Sequence, residues 1–253
     1  MDDHDIQAIE RATLMAVAPE AVVEWNGWLL PFDHGTIGRA KAAVPLRHAP
    51  VPIDVIDTLE ARYAEQGLPC TLRIADVPAF APFIDELQRR GYVGAKATLV
   101  QTASAQRMQQ VSSGIPATVG RQPDDAWAAL FLGEGFDPVD GANRVRALSR
   151  APDSRYASVR EGGRTLACGT VALGYGWASV HGMRTDAAHR GQGLAGRVLA
   201  GIAQSALAEG FERVFLQVEA HNPAAHALYR RAGFETAWGY CYWQRPSTLP
   251  TFP

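Results

Sequence analysis

Arg190, Gly191 and Gly193 stand together in the run Arg190-Gly191-Gln192-Gly193-Leu194-Ala195, just before a segment whose Leu194, Val198, Ile202 and Leu207 keep helical spacing. Glycines lack a Cβ, so a ligand can approach the backbone closely at Gly191 and Gly193. The first N–H groups of the following helix have no internal partner, and its dipole adds partial positive charge. With Arg190 as a charge-assisted donor, these residues have the chemistry of a phosphate cradle. Upstream, residues 177–185 alternate, which predicts a strand with Trp177, Ser179, His181 and Met183 on one side and Ala178, Val180 and Gly182 on the other.

Two cofactor chemistries fit this loop. Gly191-Gln192-Gly193-Leu194-Ala195-Gly196 reads as G-x-G-x-x-G, with Glu219 downstream at a strand end where a dinucleotide ribose would need it. That fingerprint normally follows an apolar strand directly, whereas the polar stretch 185–190 intervenes here. Too little chain also remains after Gly196 for a doubly wound sheet. The glycines could also serve packing alone. The third reading takes Arg190, Gly193 and Ala195 as R/Q-x-x-G-x-G/A.

The downstream block favours the third reading. A β-branched and aromatic strand, 214–218, precedes Glu219-Ala220-His221-Asn222-Pro223, then Ala225, Leu228-Tyr229 and Gly233-Phe234. Together, R-x-x-G-x-A and N-x-x-A-x-x-L-Y followed by G-F resemble the two signature blocks of the GCN5-related N-acetyltransferase (GNAT) superfamily, over roughly the second half of the chain. The resemblance implies acetyl-CoA as cofactor, with Arg190, Gly191, Gln192, Gly193, Leu194 and Ala195 at its pyrophosphate. It also implies that backbone groups of Met183, Arg184 and Thr185 lie along the pantetheine arm, that Asn222 touches the coenzyme, and that Tyr229 protonates the departing thiolate. Members transfer the acetyl group directly to an amine, without an acyl-enzyme.

Such a transfer needs a neutral amine, although a lysine-like ammonium titrates near roughly 10.4, so a base must take its proton. Many family members carry the base on the strand before the phosphate loop, where His181 stands with Ser179 on the same face to hold a relay water. Glu219 is the second candidate and could instead bind a cationic acceptor. The 131–137 loop and the aromatic run Trp238, Tyr240, Tyr242 and Trp243 are expected to face the acceptor. Cys168 and Cys241 have no neighbouring cation in sequence to make either a nucleophile, and the five-residue spacing of His221 and His226 does not suit a metal.

These residues require a mixed α/β (α+β) scaffold of mainly antiparallel sheets flanked by helices. Helix 53–66, Gly67, strand 71–76 and Leu87-Gln88-Arg89-Arg90-Gly91-Tyr92 echo the second-half helix, Gly210, strand 215–220 and Leu228 to Phe234. The echo predicts a tandem arrangement: a degenerate N-terminal copy over 1–107, a linker over 108–115 and the catalytic domain over 116–253. The first copy has Arg47-His48-Ala49-Pro50-Val51-Pro52 where the cradle should be, and prolines lack the N–H groups a phosphate needs. Within the first half, helix 6–17, strands 22–32 and 37–46 about a turn at 33–35, and strand 92–101 are expected. The second half adds strand 117–121, helices 127–132 and 143–149, a hairpin over 156–173, strand 236–244 and a proline-rich end.

With 253 residues, 47% hydrophobic and 20% charged, the composition is that of an ordinary globular protein. A net charge of -2 gives no footprint for nucleic acid or an anionic membrane. The acidic start and three widely spaced cysteines predict a cytoplasmic protein with reduced thiols and no metal. The expected function is acetyl-CoA-dependent N-acetylation of a small-molecule or peptide amine. A non-catalytic acyl-CoA sensor is the alternative, and the oligomeric state stays open.

Overall fold

The structure, a computed structural model, describes residues 1–133 and 135–246. The chain from 247, most of the expected proline-rich end, and Glu134 of the expected acceptor-facing loop lie outside the described residues.

Helix α1 (Asp3–Val17) begins at Asp2, whose carboxylate accepts from the Asp5 amide, and stops at Ala18 in the left-handed region. The expected single strand over 22–32 is instead a hairpin of β1 (Ala21–Trp25) and β2 (Trp28–Phe32). Its turn is Asn26-Gly27, with φ of 45° and 77°, which is the pairing a two-residue hairpin favours. The expected strand over 37–46 is a short 3-10 turn, Gly38–Ala40, followed by the two-residue β3 (Val44–Pro45). There follow α2 (Val55–Glu65), β4 (Thr71–Ala75), α3 (Ala81–Arg89), β5 (Val93–Ser104) and α4 (Ala105–Gln109). The second half contributes β6 (Thr118–Gly120), α5 (Asp125–Ala129), α6 (Pro138–Arg150), β7 (Ser154–Glu161), β8 (Arg164–Gly174) and β9 (Trp177–Thr185). It ends with α7 (Leu194–Ala208), β10 (Arg213–Glu219), α8 (Pro223–Arg231) and β11 (Glu235–Gln244). Helix α6 starts five residues before its expected position, because Asp137 caps the Val139 and Asp140 amides and Pro138 suits the first turn.

One eight-stranded sheet runs β4-β11-β5-β10-β9-β8-β7-β6, and β1, β2 and β3 form a separate three-stranded sheet. Strands from both sides of the expected 108–115 linker are therefore hydrogen-bonded in a single sheet. The order also contains a reciprocal exchange. β5, the last strand of the first copy, lies between β10 and β11, while β11 lies between β4 and β5. The internal echo is visible in geometry: Gly67 and Gly91 of the first copy, and Gly210 and Gly233 of the second, all have φ between 67° and 84°.

The sheet buries a core on each face. Ile9, Trp28, Leu59, Phe83, Trp177, Phe215 and Trp238 belong to the core under α1, α2, α3 and the small sheet. Val180, Leu199, Ile202, Leu216 and Tyr229 belong to the other, under α4, α7 and α8. No helix among the described residues is long and apolar enough to cross a membrane.

Because β5 fills the gap between β10 and β11, a chain restricted to 116–253 would expose edges that the whole chain pairs. The full chain is expected to unfold in urea in one cooperative step, and the 116–253 fragment to show none. Two separated transitions in the full chain, or a well-folded fragment, would contradict the shared sheet.

Candidate active site

The site grows from a break in the sheet. Parallel β9 and β10 pair at Ala178, Ser179 and Val180 against Val214, Phe215 and Leu216, and the ladder goes no further. On its other side, β9 shifts register against β8 between Thr170–His181 and Cys168–Arg184, so Gly182 and Met183 share one partner position. This is a β-bulge, made possible by Gly182 at φ +59°. The bulge corrects one expectation: Met183 does not share the face of Trp177, Ser179 and His181. Its sulfur lies beside Gly169 with Val198 and Ile202 of α7, whereas Gly182 faces Leu148 and Phe131.

Beyond the bulge the chain builds the phosphate-loop candidate. Asp186 accepts from the Ala188 amide and His189 Nδ1, and pairs with Arg164, which orders the polar stretch before the glycines. Its carboxyl is held below the usual range, first by the hydrogen bond from His189. Gly191 and Gly193 have φ of 78° and 75°, and a Cβ added at either would meet nothing within 4 Å. Gly193 is the N-cap of α7 and no side chain caps that end. The first amides of α7 thus border open space, a cavity of about 760 Å³. Met183, Arg184, Thr185, Arg190, Leu194 and Ala195 line it with both glycines, Asn222 and Tyr229; Gln192 does not. The expected cradle residues are therefore brought together with that one exception, and the open backbone suits a pyrophosphate.

A second cavity of about 500 Å³ lies across the parted strands, lined by His181, Gln217 and Glu219. Met183, Arg184, Asn222, Ala225 and Tyr229 line both cavities, so the two meet at the break. Tyr229 is 8% exposed and packs edge-on against Phe234 at 5.8 Å. Its hydroxyl makes no hydrogen bond among the described residues, and burial pushes its pKa up to about 12, so it stays protonated as a donor. Asn222 caps α8 by accepting from the Ala225 amide at 3.1 Å while also lining both cavities.

The two base candidates differ sharply. His181 is 4% exposed, with Nε2 against Ser179 Oγ and Nδ1 3.3 Å from Arg39 Nη1. A guanidinium only donates, so Nδ1 must accept and Nε2 must carry the proton. Burial, and then the charge of Arg39, hold its pKa well below the ordinary value. Glu219 sits at the exposed end of β10 and makes no ion pair among the described residues. The aromatic run divides: Tyr240 and Tyr242 line the cavity, while Trp238 and Trp243 are core. Tyr240 donates to Gln217 Oε1 at 2.7 Å, and Gln217 Nε2 donates to Thr13 of α1 at 2.9 Å. Burial pushes the Cys70 and Cys168 thiols up to about 11 and about 12, and raises Cys241 as well, which suits no nucleophile.

Sequence reasoning missed the N-terminal half's share of this cavity. Arg39 and Lys41 come from the 3-10 turn after β2, and Lys96 and Thr98 from β5 beside β10. No local signal marks them, because Arg39 meets His181 across 142 residues of sequence and Thr98 meets Glu219 only through the exchanged sheet.

Comparison with known proteins agrees with this geometry. A family model described as "Probable histone acetyltransferase Rv0428c C-terminal" matches residues 4–243. The chain is 25% identical over 235 residues to "Uncharacterized N-acetyltransferase YobR" of Bacillus subtilis (strain 168), covering 91% of this chain and 94% of that one. Its fold is similar to a GCN5-related N-acetyltransferase from Kribbella flavida, with TM-score 0.71, 17% identity and 95% of each chain covered. It is also similar to a tandem GNAT protein from the clavulanic acid biosynthesis pathway, with TM-score 0.59, 16% identity and 94% of each chain covered.

Two expectations follow from the strand. In Gly182→Ala, left-handed strain and a Cβ 2.8 Å from Leu148 Cδ1 should cost about 1–3 kcal/mol in urea unfolding. For His181, folding favours the neutral ring, so its contribution is complete above the unfolded pKa of roughly 6.5 and is lost as pH falls below it. Wild type should lose about 1.4 kcal/mol per pH unit more than His181→Gln on that acid limb, at most. Parallel stability curves for the two proteins would show that His181 is not held neutral.

Proposed function

The chain belongs to the GCN5-related N-acetyltransferase superfamily, through the family whose model spans residues 4–243, and on that footing we propose that it moves the acetyl group of acetyl-CoA directly to a primary amine in a ternary complex. The observation that carries this reading is the meeting of the glycine-loop cavity and the second cavity at Tyr229, where β9 and β10 part. A donor and an acceptor can then be held on opposite sides of one opening.

Arg190 and the free amides of the Gly191–Ala195 loop would hold the pyrophosphate. The backbone of Met183, Arg184 and Thr185 on the side that β10 leaves unpaired would hold the pantetheine arm, and Asn222 has an amide nitrogen to spare beyond its capping oxygen. Bound acetyl-CoA supplies a thioester whose C–S bond is exchanged for a C–N bond, releasing a thiol and one amine proton. Tyr229 has its proton available at the opening and is assigned to the departing sulfur. Glu219 is assigned the amine proton, directly or through water. His181 is assigned a positioning part, because its one lone pair is engaged by Arg39.

The non-catalytic acyl-CoA sensor is not favoured, since the matching family model and the curated relative are both described as acetyltransferases. In this reading one chain binds one coenzyme, at the α7 end; titration to two per chain would overturn it. Arg190→Ala should weaken acetyl-CoA binding by about 1–3 kcal/mol, the range for a hydrogen bond to a charged group. Tyr229→Phe should leave binding near normal and lower kcat and kcat/KM together, roughly tenfold to a thousandfold. A Phe variant that melts earlier yet turns over normally would remove Tyr229 from the chemistry.

A further inference from the structure

The chain as a whole carries a formal charge of -2, yet the second cavity is strongly basic. Arg39, Lys41, Lys96, Arg144 and Arg184 line it, and Glu219 is its one carboxylate among the described residues. Arg144 and Arg184 are accounted for by Asp140, at 2.6 Å and 3.8 Å. The other three make no ion pair among the described residues. Lys41 donates only to the Gly35 carbonyl, at 3.1 Å. Arg39 is half-buried, and its guanidinium touches His181, a ring that burial first and then Arg39's own charge keep neutral. Its charge is felt by the buried Glu10, but that carboxylate is already paired with Arg73, and a half-buried arginine without an ion pair of its own is uncommon, since desolvated charge costs free energy unless it is paired. Lys96 stands at φ +52°, a left-handed conformation that non-glycine residues rarely adopt, inside an irregular stretch of the β5–β11 ladder. Such strain persists where surrounding structure enforces it, and it is common at binding sites.

Resting on the acetyl-transfer reading, we propose that the acceptor amine carries an anionic group, a carboxylate or a phosphate, received by Arg39, Lys41 and Lys96. Arginine's planar fork matches both oxyanions bidentately, and the two lysines add charge without geometric demand. Glu219, the cavity's carboxylate, attracts the ammonium end, so the cavity suits a compact molecule bearing both charges. A lysine-rich peptide meets the opposite field: its neighbouring ammonium groups would approach three cations that form no ion pair among the described residues.

The test uses the full chain with acetyl-CoA and reads thiol release. Acceptors are matched pairs: 4-aminobutyrate and 6-aminohexanoate against their primary amides, O-phosphoethanolamine against ethanolamine, and a lysine-rich peptide. Calorimetric titration first confirms that acetyl-CoA binds; failure there overturns the acetyl-transfer reading itself, before any acceptor is added. With the coenzyme bound, the anionic members should exceed their partners in kcat/KM by roughly tenfold to a hundredfold, the range for bonds to a charged group. The carboxylate and phosphate arms distinguish the two anions. In Arg39→Gln the preference within each pair should collapse through KM, with acetyl-CoA affinity retained. Lys96→Gln, at an exposed position, gives a second, smaller collapse should Arg39→Gln fail to fold. Equal rates within the pairs, a preference for the amides or the peptide, or no turnover of any acceptor by coenzyme-bound protein would overturn the inference.

Discussion

The site depends on a ladder that stops. Parallel strands normally keep pairing, because each unpaired N–H and C=O withheld from water costs free energy. Here β9 and β10 share three register pairs and then diverge, with Gly182 bulging on the β8 side of the same strand. The backbone of residues 182–185 is thereby released from one neighbour without losing the other. That leaves polar main-chain groups facing an opening rather than a core, and α7 begins just beyond with its own uncapped amides. Both cavities, and the residues they share, follow from this divergence.

The exchanged strands make the opening a property of the whole chain. β5 pairs with β10 at Glu219–Thr98 and so sets one wall of the second cavity. Behind that wall, Arg73 of β4 and Glu10 of α1 form a fully buried pair, and Arg73 also lies 5.0 Å over the Tyr240 ring. Desolvation raises the Glu10 pKa, while Arg73 opposes it by charge and hydrogen bond. Tyr240, Gln217 and Thr13 continue the network back to α1. Arg73 Nε has no hydrogen-bond partner among the described residues, so the cavity floor rests on the ion pair and the ring contact, and removing one charge would strand the other.

Local geometry was legible in the sequence and long-range topology was not. The glycine turn before α7, the α8 cap at Asn222 and the place of Tyr229 on that helix could be read because each rests on neighbours within a few residues. The Asn26-Gly27 turn carried an equally local signal, but Trp25, Trp28, Leu29 and Leu30 around it read as one continuous apolar strand. Met183 was assigned to the wrong face because alternation assumes an uninterrupted pleat, and a single left-handed glycine reverses every later position. The expected split at 108–115 rests on the internal echo. Nothing in two similar segments reveals that their final strands trade neighbours, so the contribution of Lys96 and Thr98 was invisible, and that of Arg39 and Lys41 rests on a contact 142 residues apart in sequence.

The exchange gives the N-terminal half a part in the opening: it supplies β5 and the turn carrying Arg39, on the side away from α7. The two halves differ in what they bring there. The second brings backbone amides, Arg190 and Tyr229, while the first brings side-chain cations. Arg39, Lys41 and Lys96 form no ion pair among the described residues, and Arg39 adds to the burial that already keeps the His181 ring neutral. Residues that break local rules without compensation inside the chain mark where compensation comes from outside it. The anionic acceptor proposed for this opening would supply that compensation.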